Sequence, residues 1–361
     1  MFLPLVFAGT GDRWYSISMP GTSLSYCLLR GKPVNFQLFA DKAIAGETLS
    51  REECLAVLRS SDSQILDLLS ATYRVRERFV GKRVHLHMLI NAKSGLCPED
   101  CHYCSQSHIS TAQIERYPMV SVQRLLEGAR KAKEAHCRRY CIVISTRGAT
   151  SREIDFLTRA VRRIREEVDI AICCSLGLLS EEKARALYEA GVEQLNHNLN
   201  TSERYYPSIC TTHTYQDRID TLHAARAAGL KLCSGAIFGQ GESEDDIVDV
   251  ALALRELAPQ SIPVNFLLPI PGTPFAETQY IRPYDCLRIL CLMRLLNPAQ
   301  ELRVSAGREV HLRSLQPLAL YAANSVFVSG YLTTPGQAYQ ETWQMITDLG
   351  FEIEEHAMAS D

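Results

Sequence analysis

From about residue 83 onward, the sequence repeats one pattern: a short apolar run, a polar turn, an amphipathic helix and often a glycine. Strands that alternate with helices predict a parallel sheet with helical crossovers. Eight such runs predict an α/β fold of the closed (β/α)8 TIM-type barrel class, and an open doubly wound sheet is the alternative. The predicted strands cover residues 83–91, 138–145, 169–177, 192–200, 230–239, 261–270, 301–307 and 324–330.

The segments before and after this pattern set the predicted domain division of the 361-residue chain. Residues 36–80 look helical and are expected to pack across the end or the side of the barrel. We therefore expect an N-terminal extension at 1–35, poorly ordered, one barrel domain with its N-terminal helices at 36–345, and a C-terminal tail at 346–361. The first nine residues are apolar but no Lys or Arg precedes them, which argues against a secretory signal. A transit peptide and a dispensable extension stay open for this segment.

Composition narrows the classes of function. The formal net charge is −3 and no long basic run occurs, so binding to nucleic acid or to a membrane surface has little electrostatic support. No apolar stretch approaches the roughly 20 residues needed to span a bilayer. Thirteen cysteines are an odd number, and in a reducing cytoplasm clustered cysteines indicate metal or redox chemistry. We therefore expect a cytoplasmic metal or redox protein.

Three of the cysteines, Cys97, Cys101 and Cys104, have the spacing C-x3-C-x2-C. A structural zinc site takes four ligands, so the triplet is one short unless His108 completes it, and a zinc-binding structural module remains an alternative. Three reduced thiols without a metal are a second alternative, although they would be an oxidation hazard. Thiolates also hold iron–sulfur clusters, and three of them leave one iron open to a small molecule. We favour this last interpretation.

A second set of cysteines lies on predicted strands: Cys141 on the second, Cys173 on the third and Cys233 on the fifth. For any one of them, packing in the core is the simplest explanation, because free cysteine is among the most buried residue types. If their side chains point into the barrel, however, three thiols meet in the lumen and could hold a second cluster. Arg303 on the seventh strand could join them as a balancing charge.

The cysteine triplet at the end of a first barrel strand resembles the signature of the radical S-adenosylmethionine superfamily. That resemblance implies a 4Fe-4S cluster whose open iron binds S-adenosylmethionine and whose electron cleaves it to a 5′-deoxyadenosyl radical. It also implies that Tyr103 lies near the adenine, with simple packing as the alternative. The run GAIFGQGE at 235–242 matches the superfamily pattern G-x-I-x-G-x-x-E after the fifth strand. Its implied cofactor-binding residues are Gly235, Ile237, Gly239 and Glu242.

Further motifs, in the same order, resemble the biotin synthase family: CPEDCHYCSQS, NHNLNTS, TYQDRIDTL, KLCSGAIFGQGE, PGTP, RVSAGRE, ANSVF and YLTTPG. The similarity runs from about residue 36 to about 335. It implies a sulfurtransferase that converts dethiobiotin to biotin, with two C–H bonds replaced by C–S bonds through a radical route. It also implies that Cys141, Cys173, Cys233 and Arg303 ligate a 2Fe-2S cluster that donates the sulfur. Six cysteines have no match and are interpreted as structural: Cys27, Cys54, Cys137, Cys210, Cys286 and Cys291.

The same resemblance assigns polar residues around the substrate and cofactor. Asn198 and Asn200 are implied to contact ribose or substrate, and their alternation along the fourth strand predicts a shared face with Asn196. Asn200 departs from the aspartate common in the family. Asn265 is implied to lie near the ureido ring of dethiobiotin, which suits an amide that both donates and accepts. Arg218 is implied to lie near the methionine carboxylate, with a helix-surface salt bridge as the alternative.

The implied partners are an electron donor such as flavodoxin or ferredoxin, the iron–sulfur assembly machinery, and a second copy of the chain in a homodimer. Nucleic acid and membrane are not expected partners. Another radical S-adenosylmethionine enzyme, related to hydrogenase maturases or to mutases, is the nearest alternative function, because such enzymes share the triplet and the barrel.

Overall fold

The computed structural model describes residues 34–355. The predicted N-terminal extension and the last six residues of the predicted tail therefore lie outside the described residues, apart from positions 34 and 35. Among the described residues, none of the helices combines the length and the apolar character that a membrane-spanning segment needs. The strands are β1 Arg83–Lys93, β2 Arg139–Ile144, β3 Ala171–Ser175, β4 Gln194–Asn196, β5 Lys231–Cys233, β6 Ala236–Phe238, β7 Ser261–Phe266, β8 Glu301–Val304, β9 Ser325–Phe327 and β10 Glu352–Ile353.

These strands close into a parallel barrel, which confirms the predicted (β/α)8 class. The strands pair in the order β1-β2-β3-β4-β5-β7-β8-β9, and β9 returns to pair with β1. The predicted fifth strand is divided into β5 and β6, which both pair with β7. Gly235 lies at this break, where a Cβ atom would stand 1.9 Å from the Pro263 carbonyl oxygen. The close approach of the two backbones therefore requires glycine there.

Twelve helices lie in the described residues and connect or cover the strands. They are α1 Phe36–Ile44, α2 Arg51–Leu58, α3 Ile65–Val80, α4 Val122–Glu134, α5 Ser151–Glu167, α6 Glu181–Glu189, α7 Tyr215–Ala227, α8 Glu244–Leu257, α9 Pro283–Leu296, α10 Arg308–Leu312, α11 Gln316–Ala319 and α12 Tyr339–Asp348. The predicted capping signal of α5 is confirmed, because Thr150 and Glu153 form a reciprocal capping box. The cap of α7, Thr214 with Asp217, forms in the same way.

The helices at 36–80 lie on the side of the barrel, where α3 packs against α1 and α9. Arg76 joins α3 to the start of β1 and to the segment before β9, since its buried guanidinium donates to the carbonyl oxygens of Arg83 and Ala323, each at 3.1 Å. Its guanidinium carbon also lies 4.2 Å from the centre of the Phe351 ring. The bounds of α1, α2 and α3 confirm the helical prediction for this segment.

Two predicted boundaries differ from the structure, and the first of them lies at the site. The fourth strand ends at Asn196, and Asn200 adopts a left-handed backbone with φ of 71°, so the strand alternation predicted through Asn200 is wrong. Asparagine tolerates this conformation better than most residues. At the other end, position 346 falls inside α12, and β10 pairs with β1 beyond it. The wider domain division stays a prediction.

Candidate active site at the mouth of the barrel

A cavity of about 280 Å³ opens at the carboxyl ends of the strands. In (β/α)8 barrels the loops after the strands meet at this end and build the active site. Nine predicted site residues line it: Cys97, Cys101, Tyr103, Cys104, Asn198, Asn200, Arg218, Ile237 and Asn265. The remaining seven lie outside its lining: Gly235, Gly239, Glu242, Cys141, Cys173, Cys233 and Arg303.

The loop between β1 and α4 carries the cysteine triplet and is closed by local hydrogen bonds. The Gln106 Oε1 atom accepts from Asn91 Nδ2 and from the Gly95 amide, both at 3.1 Å. The His108 amide donates to the Glu99 carbonyl at 3.0 Å. The His108 residue itself is exposed and does not line the cavity. Its imidazole is therefore a poor fourth ligand for the three thiols.

All three thiols of the loop favour the protonated state. Burial raises the pKa of Cys97 to about 11 and also raises the pKa of Cys104. The pKa of Cys101 is raised first because its thiol donates a hydrogen bond to Cys210, and then by burial. A metal must therefore displace three protons when it binds here. Three sulfur donors on one loop, facing one cavity, fit an iron–sulfur cluster with an open iron.

The asparagines after β4 brace the opposite wall of the cavity. Asn200 donates from Nδ2 to the Tyr103 hydroxyl oxygen at 2.6 Å, which joins this wall to the cysteine loop. The Asn198 Oδ1 atom accepts from the Gly235 amide at 3.2 Å. The Asn200 carbonyl accepts from the Ile237 amide at 2.9 Å. The left-handed turn at Asn200 thus keeps both asparagine side chains at the cavity although the strand has ended.

Arg218 lies inside the cavity wall rather than on the surface of α7, so the alternative of a helix-surface salt bridge is wrong. Its residue is buried, and it donates to the Asn198 carbonyl and to His213 Nε2, both at 2.9 Å. Its Nε atom donates to the Tyr206 hydroxyl. Burial alone would lower the pKa of Arg218, but nearby phenol and thiol groups raise it. The cavity therefore contains a fixed positive charge, which suits a carboxylate ligand.

The glycine-rich run at 235–242 contributes mainly through the shape of its turn. The Glu242 carboxylate accepts from the Gly239 and Gln240 amides, both at 2.6 Å. Burial raises the pKa of Glu242. Ile237 is the member of the predicted group whose side chain lines the cavity. The Glu242 carboxylate, which does not line the cavity, thus stabilises the turn.

The second set of thiols converges deeper in the barrel, as the strand positions predict. Cys141 and Cys173 are direct partners in the β2–β3 register, and Cys233 is the partner of Asn196 in the β4–β5 register. All three cysteines are buried. The pKa of Cys141 is lowered, first by a hydrogen bond from the Cys173 thiol, against the effect of burial. Arg303 Nη1 lies 3.6 Å from the Cys233 sulfur.

Arg303 is held by a polar shell that sequence reasoning did not find. Its Nε atom donates to the Ser325 hydroxyl at 3.1 Å, and its Nη2 atom donates to the Ser261 hydroxyl at 2.8 Å. The Nη2 atom also contacts His87 Nε2 at 3.3 Å and the Glu301 carboxylate. Burial alone would lower the pKa of Arg303, but Glu301 and the nearby thiols raise it. The guanidinium therefore stays charged, and its charge is one of the causes that lower the pKa of Cys141.

A polar network beside the cysteine loop was also missed. Glu99 and Asp100 stand between the first two cysteines of the triplet, and both reach the segment before α7. His213 bonds to Glu99, and the Cys210 sulfur lies 3.2 Å from an Asp100 oxygen. The pKa of Cys210 is lowered to about 4, first by the hydrogen bond from Cys101. An acidic pair inside the cysteine loop was the available signal, but no spacing rule names its partners.

Comparison with protein families agrees with this geometry. The model of the Radical SAM superfamily matches residues 93–254, and the model of the Biotin and Thiamin Synthesis associated domain matches residues 263–352. Among solved structures, methylornithine synthase aligns with a TM-score of 0.77 at 20% identity, over 89% of this chain and 97% of that chain. The FeFe-hydrogenase maturase from Carboxydothermus hydrogenoformans aligns with a TM-score of 0.76 at 19% identity, over 90% of this chain and 80% of that chain. These two likenesses show the fold alone.

Relatives of known function are much closer in sequence. The biotin synthase of Bacillus cytotoxicus is 48% identical over 325 residues, which are 90% of this chain and 98% of the relative. The biotin synthase of Geobacillus kaustophilus is 50% identical over 320 residues, or 89% of this chain and 96% of the relative. That of Bacillus subtilis is 50% identical over 315 residues, or 87% and 94%. The chain therefore belongs to the biotin synthase family, whose members are radical S-adenosylmethionine enzymes that insert sulfur.

Proposed function

We propose that this chain converts dethiobiotin to biotin with two iron–sulfur clusters, a 4Fe-4S cluster at the mouth of the barrel and a 2Fe-2S cluster deeper in the lumen. One observation carries the proposal. Two separate sets of three thiols lie in the same barrel, one on the loop after β1 and the other on β2, β3 and β5. A protein with a single metal site, whether a zinc site or one iron–sulfur cluster, would need only one set of thiols.

Cys97, Cys101 and Cys104 would hold the outer cluster and leave one iron for S-adenosylmethionine. When bound, the outer cluster and S-adenosylmethionine supply the carbon radical chemistry that unactivated C–H bonds require. The chain's own residues orient the cofactor. The Arg218 guanidinium suits the methionine carboxylate, and the Tyr103 ring, fixed by Asn200, offers a flat face to the adenine.

The turn at 235–242 supports the same cofactor from the side. Ile237 presents an apolar contact to the cavity. Gly235 and Gly239 allow the backbone to pass close to Pro263 and Ile281, respectively. The Glu242 carboxylate accepts a hydrogen bond from the Gly239 amide. Asn198 lies between this turn and Arg218, within reach of a ribose hydroxyl or the substrate.

Asn265 suits the ureido ring of dethiobiotin because half of its amide is still available. Its Nδ2 donates to the Ala236 carbonyl at 3.1 Å, and its Oδ1 accepts from the Ala306 amide at 3.2 Å. A primary amide carries two N–H donors and two lone pairs. One donor and one lone pair therefore remain for a urea, in an orientation that the protein already fixes.

Cys141, Cys173, Cys233 and Arg303 would hold the inner cluster. When bound, that cluster supplies the sulfur atom that ends up in the product. Arg303 is kept charged and oriented by Glu301 and Ser261, so its guanidinium cannot swing away from the Cys233 sulfur. A buried lumen also keeps water and other hydrogen donors from a reactive carbon.

The Cys141→Ala variant tests the proposal. Cys174→Ala is the matched control, because Cys174 lies next to Cys173 on β3 but is not one of the proposed ligands. Iron in the anaerobically reconstituted Cys141→Ala protein should fall from about six to about four atoms per chain. It should still cleave S-adenosylmethionine reductively but form no biotin, whereas Cys174→Ala should keep all three properties. Full biotin yield from Cys141→Ala would remove Cys141 from the mechanism, whereas a wild-type chain that holds about four iron atoms and forms no biotin would favour a related radical enzyme with the outer cluster alone.

We further propose, from the family resemblance, that the chain acts in the cytoplasm as a homodimer. It would take electrons from a flavodoxin or ferredoxin and its clusters from the iron–sulfur assembly machinery. The proposed division is a barrel domain at 36–345 with flanking segments at 1–35 and 346–361. Light scattering on the purified chain tests the dimer, and a monomer at micromolar concentration would overturn it.

A further inference from the structure

Cys210, which the sequence left as a structural cysteine, lies directly beside a thiol of the cavity. Its sulfur is 3.8 Å from the Cys101 sulfur. Both residues are buried, with 2% and 8% of their surface exposed. Cys101 also lines the cavity, so a small molecule that enters the cavity can reach this pair from one side.

The two backbones that carry these thiols are joined on both sides of the pair. On one side, the His102 amide donates to the Ile209 carbonyl at 2.9 Å. On the other, the Asp100 carboxylate accepts from the Thr211 amide at 3.0 Å and from the Thr212 amide at 3.2 Å. A disulfide needs its sulfur atoms about 2.05 Å apart. The two sulfur atoms, now 3.8 Å apart, must therefore move closer between two backbone segments that these hydrogen bonds hold side by side.

A single metal ion is the other use for this group, since the ligand atoms of Cys101, Cys210 and His213 lie within 4.8 Å of one another. The histidine argues against it. Its Nδ1 atom contacts the Glu99 carboxylate and so carries the proton, while its Nε2 atom accepts from the Arg218 guanidinium at 2.9 Å. A metal bound to either nitrogen would disrupt one of these bonds, and at Nε2 it would face a positive charge. The thiol pair remains as the functional unit.

We propose that Cys101 and Cys210 form a reversible disulfide when the chain lacks its outer cluster. The oxidant is a low-molecular-weight disulfide, such as oxidised glutathione. One of the two thiols, as the thiolate, attacks it to form a mixed disulfide and releases one glutathione thiol. The second thiol of the pair then displaces the other glutathione. In sum, the pair loses two electrons and two protons, and one oxidised glutathione becomes two glutathione thiols.

The disulfide has a consequence that rests on the proposed function of Cys101 as a cluster ligand. A sulfur in a disulfide cannot ligate iron, so the oxidised chain cannot build its outer cluster until a thiol reductant reopens the bond. The same bond prevents irreversible oxidation of Cys101 to the sulfinic acid. The disulfide would therefore keep the cluster-free site in an oxidised state that a thiol reductant can reverse.

Peptide mapping of the full chain tests the bond. The chain, stripped of iron anaerobically and reduced, is treated with oxidised glutathione, alkylated and digested with trypsin. Cleavage after Lys93, Arg116, Arg204 and Arg218 places the cysteine triplet in the peptide 94–116 and Cys210 in the peptide 205–218. We expect these two peptides to be linked through Cys101 and Cys210. A bond within the triplet, with Cys210 alkylated, would overturn the proposal.

Three variants sharpen the mapping. Cys210→Thr should lose the linked peptide, and the double variant Cys97→Ser/Cys104→Ser should retain it, because the competing thiols of the loop are gone. Cys137→Ser, a buried cysteine outside the cavity lining, is the control and should also retain the link. Loss of the link in the double variant would mean that Cys101 and Cys210 do not pair.

Cluster reconstitution separates this proposal from the proposed function. The oxidised wild-type chain should take up outer-cluster iron only after dithiothreitol is added, whereas the reduced chain needs none. If the linked peptide is found but the oxidised chain builds the cluster without reductant, Cys101 is not a cluster ligand and the proposed function fails. If no linked peptide forms while the reduced chain builds its cluster, the disulfide fails and the proposed function stands.

Discussion

Replacing Arg303 with methionine should destabilise the fold by leaving Glu301 buried without its main partner. The Arg303 residue is 1% exposed, and the Glu301 side chain is 10% exposed. Removing one partner of a buried ion pair costs roughly 3–5 kcal/mol, because an uncompensated charge stays out of water. His85 at 3.0 Å and Arg139 at 3.6 Å remain near Glu301, so we expect the lower end, about 3 kcal/mol.

Urea unfolding of the cluster-free chain measures this loss. With an m-value of about 3 kcal/mol/M, a loss of about 3 kcal/mol lowers the midpoint by about 1 M. The double variant Arg303→Met/Glu301→Gln should recover part of the loss, because the uncompensated charge is gone. Arg185→Met is the control, since its pair with Glu181 is about half exposed and such pairs contribute about 0–1 kcal/mol.

Two results would refute this reasoning. A midpoint shift for Arg303→Met no larger than that of Arg185→Met would mean that the lumen is wet enough to solvate Glu301. A double variant less stable than Arg303→Met alone would mean that Glu301 is stabilised by its other neighbours, without Arg303. Because the chain carries no cluster in this assay, the result does not depend on whether Arg303 ligates iron.

Two further predictions concern helix ends. Thr150→Ala removes the N-cap of α5 and should lower the free energy of unfolding by about 1 kcal/mol. The control Ser151→Ala, one position later, should change it by less than about 0.5 kcal/mol. Equal losses for the two variants in chemical denaturation would contradict the role of Thr150 as a cap. Asp246, the residue at the third position of α8, has a lowered pKa: burial acts to raise it, but hydrogen bonds from the Ser202 and Ser243 hydroxyls outweigh burial. The pKa of an aspartate in the unfolded chain is about 3.9. Because the pKa of Asp246 is lower in the folded chain, its ionised carboxylate stabilises the fold at pH values above the unfolded-state pKa. This contribution is lost as the pH falls through the folded-state pKa. The difference in unfolding free energy between wild type and Asp246→Asn should thus be level from about pH 7 to 5 and shrink below about pH 4, and a difference that grows on acidification would reverse the assigned sign.

The barrel and its helix boundaries could be predicted from sequence because their signals are local. The cap at Thr150 can be recognised from the glutamate three residues later, and a short apolar run indicates each strand. The break between β5 and β6 could not be predicted, because its cause is the Pro263 carbonyl on another strand. The early end of β4 also involves a residue distant in sequence, since the Asn200 amide donates to the Gly235 carbonyl between β5 and β6 on the neighbouring segment.

The candidate site divides in the same way. The triplet is a spacing within one loop, and the inner thiols were found because parallel strands bring equivalent positions together. His87 and Glu301 were missed because polar residues at alternate positions of a strand normally indicate a solvent-facing surface. Cys210 was missed because its partner lies 109 residues away and no pattern connects them.

The polar lumen itself argues that chemistry, rather than stability, shaped the centre of this barrel. Most (β/α)8 barrels fill the lumen with branched apolar side chains. Here Arg303, Glu301 and His87 occupy it together with three thiols, all largely withdrawn from water. Well-packed apolar residues in place of a buried ion pair are often neutral or stabilising, so the pair is a poor device for holding strands together. A fixed positive charge beside buried thiols suits, by contrast, the anionic metal–sulfur group that we propose for this position. The same physics explains why Glu301 must be there: without it, Arg303 would be the uncompensated charge whenever the inner thiols are protonated.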